Sequence, residues 1–188
     1  MPERSAARTS GKGATNPRAE TKVSRPILVA GIGNVFLGDD GFGSEVARRL
    51  ARQSLPKQVK VVDYGIRGMH LAYDLLDGYD ALVLVDALPG HGKPGDITVL
   101  EVGPDDLGPG QLDAHGMDPV AVLGSLTALG GELPRTLVVG CQPLDVGEGI
   151  GLTPAVEDAV DVAVATVHRL LGDLITDQAA GVHVGQQV

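Results

Sequence analysis

Apolar positions along this chain follow two alternating rhythms. Pro26 to Ala30 and Ala81 to Val85 are unbroken apolar runs, the pattern of strands buried on both faces. Phe42, Val46 and Leu50 recur every four residues, and that spacing predicts an amphipathic helix over Phe42 to Ser54, stopped by Pro56. Val59 to Tyr64 reads as a second strand and His70 to Leu76 as a short helix closed by Gly78. Beyond the turn-rich stretch Pro89 to Gly95, Asp96 to Val102 reads as a strand whose Glu101 marks an exposed edge. The hairpin-like stretch before it sets that edge strand antiparallel. Asp118-Pro119 reads as the N-cap and first residue of a helix over Val120 to Leu129, and Arg135 to Val139 is the last strand. Thr153-Pro154 opens a final helix with Val156, Val160, Val164, Val167, Leu171 and Leu174 as its core stripe. Strands alternating with helices predict an α/β fold. The expected form is a three-layer α/β/α sandwich with right-handed crossovers and a doubly wound, mostly parallel sheet of about five strands, one of them an antiparallel edge strand.

Length and charge set the boundaries around this core. A chain of 188 residues fits one domain, here expected over residues 26–176, with a flexible tail at 177–188. Residues 1–25 hold six Lys or Arg and two acids and show no periodic apolar face, so a solvated, disordered basic leader is expected there. That segment carries +4 of a whole-chain charge of −9, which leaves −13 on the remainder. So acidic a body argues against nucleic acid as the main partner. The single cysteine, Cys141, allows no disulfide within the chain and reads as a small buried hydrophobe, as in a reducing compartment. No apolar run approaches the roughly 18 residues of a membrane span, and no secretory apolar region follows the basic residues. The expectation is a cytoplasmic monomer without membrane attachment.

Chemistry concentrates at the loop after the first strand, Gly31-Ile32-Gly33-Asn34 through Gly38-Asp39-Asp40-Gly41-Phe42-Gly43. A glycine-rich loop between strand and helix can cradle phosphate, but this one carries two carboxylates and no cation. Phe36 stands where the third glycine of a dinucleotide fingerprint belongs, so Asp63, at the ribose-binding position of such folds, lacks its companion motif. Asp86 ends an apolar strand abruptly, and His115 lies in a long loop just before a helix. Strands one and three commonly flank the switch point of a doubly wound sheet, which would bring Asp40 and Asp86 together with His115 on the same rim. Two carboxylates and an imidazole suit a divalent transition metal, either held by the protein or arriving already bound to a partner. Each residue also has an ordinary reading: Asp40 as a helix cap, Asp86 as a turn residue, His115 as a solvated histidine. No nucleophile elbow of the G-x-S-x-G type is present.

Taken together, the loop motif, Val85-Asp86-Ala87, His115-Gly116-Met117 and Gly151-Leu152-Thr153-Pro154 resemble the nickel–iron hydrogenase maturation proteases over about residues 26–175. The resemblance implies an endopeptidase that removes a C-terminal extension from a hydrogenase large-subunit precursor after nickel insertion, with the precursor's nickel as recognition feature. It implies Asp40, Asp86 and His115 as metal-contacting positions, Asp40 and Asp86 as catalytic, and Asp63, Gly65 and Asn34 as substrate-binding. Nickel would come with the precursor rather than be held permanently. Tyr64-Gly65, where many members carry Gly-Gly, and Arg67 depart from the family pattern and bear on which hydrogenase is the substrate. The alternatives are a non-enzymatic nickel-site recognition module, a nucleotide-binding α/β protein using Asp63, and a hydrolase with its own tightly bound metal.

Overall fold

The computed structural model describes residues 25–106 and 119–184. Five strands form one sheet: β1 (Ile27–Ile32), β2 (Val59–Gly65), β3 (Ala81–Ala87), β4 (Ile97–Val102) and β5 (Arg135–Cys141), in the order β2-β1-β3-β5-β4. All pairings are parallel except β4 with β5. The chain therefore steps from β1 outward to β2, returns across β1 to β3, and continues the other way. This reversal between β1 and β3 is the switch point at which open sheets bind ligands.

Among the described residues four α-helices cover the two faces. On one, α1 (Phe42–Leu50) and α4 (Pro154–Val184) pack Phe42, Val46, Val160 and Val167 onto Ile27, Val29, Val83 and Val85. On the other, α2 (Gly68–Leu75) and α3 (Pro119–Ala128) pack Leu71, Leu75, Leu123 and Leu126 onto Leu28, Ala30, Leu82 and Leu84. The central strands β1 and β3 are buried along their whole length, which is why their sequences lack alternation. The antiparallel edge strand β4 is the opposite case, half-buried only at its ends, with Glu101 accepting from Arg135 Nε at 2.9 Å across the strand pair.

Several boundaries differ from the sequence reading: β1 runs on to Ile32, β3 runs on to Ala87, and α2 begins at Gly68 rather than His70. α1 ends at Leu50, four residues before Ser54, and the chain relaxes into turns before Pro56. β5 extends through Gly140 and Cys141, because Gly140 sits in register between Asp86 of β3 and Thr98 of β4, and Cys141 between Ala87 and Ile97. α4 continues past Asp177, where a tail was expected. Arg135 donates to Asp177 at 2.8 Å and Gln178 to Asp80 at 3.1 Å, and Ala179 and Ala180 beyond favour helix. All six residues of the expected α4 stripe are buried. The basic segment 1–24 lies outside the described residues.

Candidate active site

The site grows from the end of β1. Gly33 leaves the strand at φ +134°, a conformation open to glycine, and donates its N–H to Gly65 O at 3.1 Å. Asn34 closes an Asx turn by accepting from Phe36 N–H at 3.0 Å. A 3-10 turn, Gly38–Gly41, then presents Asp39 and Asp40 before α1 begins. The helix enters at close range: a Cβ on Gly43 would stand 2.2 Å from the carbonyl oxygens of both Ile32 and Val85. Only glycine lets the helix start wedge between the ends of β1 and β3.

Asp40 is half-buried and does not cap α1, whose N-cap is Gly41 without a side-chain bond. Its Oδ2 instead accepts the Asn34 N–H at 2.7 Å, which aims the carboxylate back at the strand end. Asp86, 5% exposed near the end of β3, accepts the Ala87 N–H at 2.8 Å. The turn that carries Asp40 packs against β3, so the two carboxylates share the rim of the switch point. Asp63 is exposed at the end of β2, on the other side of β1, where it pairs in register with Gly31. Strand alternation places it on the α1 face, whereas Asp86 alternates toward the α2 and α3 face. Its Oδ1 accepts from Ser44 Oγ at 2.8 Å and from Gly65 N at 3.0 Å. Gly65 itself, at φ +54°, spends its N–H on Asp63 and its carbonyl on Gly33. His115 lies outside the described residues. Among the described residues no three His, Cys, Asp or Glu side chains gather closely enough to hold a metal. Two carboxylates of the expected set are therefore in view, without a complete ligand shell.

Beside this rim a cavity of about 250 Å³ opens between α1 and the segment leading to α4, lined by Val35, Ser44, Asp63, Ile150, Leu152 and Glu157 among others. Arg49 braces its outer wall by binding Glu45 at 2.9 Å, Asp161 at 2.7 Å and Glu157. Burial works against the charge of Glu45, but hydrogen bonds from Arg48 and Arg49 prevail and hold its carboxyl below the usual range.

Two residues have functions in the structure that their sequence positions did not reveal. Asp39 is fully buried and accepts from the backbone N–H groups of Leu144 (2.8 Å), Asp145 (3.0 Å) and Thr153 (2.7 Å) and from the Thr153 hydroxyl (3.0 Å). Burial alone would raise its pKa, yet these four donors keep it below the ordinary carboxylate value. The Thr153 hydroxyl thus serves Asp39, while its carbonyl starts α4 by accepting from Val156 and Glu157 N–H. Ser44 holds Asp63 from the first turn of α1. A Ser four residues before Arg48-Arg49 carries no local sign of that contact. Cys141 is buried in the core between β4 and β3, and burial followed by the nearby Asp39 charge lifts its thiol to about 11. It is a packing residue, as its sequence position suggested.

The sequence pattern of hydrogenase maturation proteases (HycI) matches residues 44–170. The chain belongs to the hydrogenase maturation protease family. Hydrogenase 2 maturation protease of Escherichia coli is 33% identical over 148 residues, covering 75% of this chain and 87% of that protein. The hydrogenase expression/formation protein HupD of Rhodobacter capsulatus is 32% identical over 151 residues, covering 77% of this chain and 70% of its own length. Among solved structures, the E. coli hydrogenase maturating endopeptidase HybD superposes with a TM-score of 0.68 at 30% identity, over 79% of this chain and 93% of that one. The maturation protease HycI of Thermococcus kodakarensis shares the fold at a TM-score of 0.64 and 23% identity, over 80% and 95%. The protein is thus a peptidase with the sheet, helices and antiparallel edge strand of this family. In this maturation protease Phe36 is 65% exposed on the loop, and Asp63 is engaged by Ser44. No described helix is long and apolar enough to cross a membrane.

Proposed function

We propose that this peptidase removes a C-terminal extension from a nickel–iron hydrogenase large-subunit precursor, and that it acts only once nickel has been inserted. The observation that supports the reading is that the turn bearing Asp40 packs against β3, the strand that ends near Asp86, at the switch point of a maturation protease fold. Carboxylate oxygens there offer anionic donors to a divalent cation whose other ligands belong to the substrate. An empty precursor presents no such cation, so metal loading gates binding. His115, in the stretch of sequence between β4 and α3, supplies the imidazole of the set. Asp63, held open on the α1 face by Ser44, meets the peptide beside the scissile bond, and Asn34 and Gly65 shape the floor under it. The relative in E. coli is named for hydrogenase 2; for this chain the substrate class is the large-subunit precursor.

The test is mass spectrometry of the candidate precursor after incubation with the protease, with and without nickel inserted. Loss of a C-terminal peptide in the nickel-loaded sample alone is the expected result. Cleavage of both samples at the same rate overturns the gating, and nickel-dependent binding without cleavage overturns the enzymatic reading in favour of a recognition module.

A further inference from the structure

Asp39 is the one buried charged side chain besides Asp86 among the described residues, and the proposed chemistry does not use it. Being fully buried, it cannot touch a substrate. What it touches is distinctive: all four of its donors come from the segment between β5 and α4, more than a hundred residues away. That segment has no helix or strand of its own between Cys141 and Pro154. Its remaining ties to the Asp40 turn run through the same few residues. Asp39 N–H donates to Asp145 O at 2.9 Å, Gly38 N–H to Gly149 O at 3.0 Å and Gly149 N–H to Phe36 O at 2.9 Å. The strapped segment carries Leu144, Val146 and Ile150, exposed to 61%, 46% and 84%, and Ile150 and Leu152 line the cavity that Asp63 enters.

We propose, resting on the peptidase reading above, that Asp39 is a positioning residue. It clamps the apolar 144–153 wall to the turn bearing Asp40, and so sets the spacing between that carboxylate and the surface an incoming peptide meets. The carboxylate chemistry is required by the geometry. Four N–H and O–H groups converge on two oxygens, so an acceptor-only side chain satisfies all of them. An amide in its place turns an NH2 group toward donors. Asp39 and Asp40 are adjacent in a single turn, so a shift of the clamp re-aims the neighbouring carboxylate. A displacement of about 1 Å at such a group costs on the order of 100-fold in rate.

The test compares the parent protein with Asp39→Asn and with the milder Thr153→Val, which removes one donor and keeps the buried carboxylate. Amide hydrogen exchange is read residue by residue, and processing of nickel-loaded precursor is resolved into kcat and KM per folded molecule. In Asp39→Asn, exchange at Leu144, Asp145 and Thr153 should rise at least about tenfold while β1, β3 and β5 amides stay protected, and kcat should fall at least about tenfold. Thr153→Val should move both readouts in the same direction by a few-fold, and it decides the question if Asp39→Asn does not fold. Unchanged exchange at the three amides overturns the clamp. A loosened wall with kcat within twofold of the parent overturns the positioning role. The exchange readout needs no substrate, so a parent protein that cleaves nothing would sink the peptidase reading while leaving the clamp to be judged on its own.

Discussion

Asp40 and Asp86 differ in how deeply they are set, and that difference decides which substitutions are informative. Asp40 is half-buried and accepts one backbone N–H, so Asp40→Ala should leave the melting temperature within a few degrees while processing drops by about 100-fold or more. Asp86 is 5% exposed, and an alanine there orphans the Ala87 N–H, at a cost of about 1–3 kcal/mol. Asp86→Asn keeps an acceptor and removes only the charge. It should fold normally by circular dichroism and still fail to shorten the precursor; retained cleavage in either variant would remove that residue from the site. Glu45 offers a pH test on a residue outside the carboxylate pair. Its folded pKa is depressed, so its contribution to stability is fully present above the unfolded value near 4.3 and is lost as pH falls through the lower folded value. Thermal unfolding followed from pH 6 downward should therefore steepen below about 4.5 in the parent and flatten in Glu45→Gln. A parallel pair of curves would show that the Arg48 and Arg49 contacts add nothing in solution.

At the level of elements, glycine separates the places where backbone meets backbone from those where it meets water. Gly43→Ala drives a methyl into two strand carbonyls at the start of α1, and should cost about 1–3 kcal/mol or more while displacing the turn that holds Asp40. Gly172 lies mid-helix in α4 with nothing within 4 Å of a built Cβ. Gly172→Ala should stabilise by about 0.5–1 kcal/mol, since alanine loses less backbone entropy in a helix. Denaturant titrations of the two variants should shift in opposite directions. The same contrast explains what the sequence revealed. β1 and β3 announced themselves because burial on both faces leaves nothing polar in the run, and Glu101 exposed the edge strand. The α4 stripe was legible through its period alone. The Ser44–Asp63 bond and the Asp39 clamp were not, because their partners stand 19 and more than 100 residues away and local pattern carries no distance. Nor did helix ends declare themselves: α4 outlasts Asp177 because of contacts to Arg135 and Asp80, which the helix's own residues do not encode.

Over the whole molecule, Cys141 reports on integrity. Its thiol lies in the sheet core with its pKa lifted to about 11, so at neutral pH it is protonated and enclosed. A thiol-exchange reagent should label the native protein only as fast as the fold opens, and labelling should accelerate with denaturant in step with unfolding. Rapid labelling in native buffer would mean that β5 opens locally. The sheet itself can be assembled from residues up to Cys141, and its order places the carboxylates before α4 exists. The Asp39 clamp cannot form so early, since its last partner, Thr153, stands 114 residues downstream at the threshold of the final helix. During synthesis, then, the strands that carry Asp63 and Asp86 all emerge before the Asp39 contacts can close, and those contacts join the first turn of the site to the last stretch of loop before the final helix.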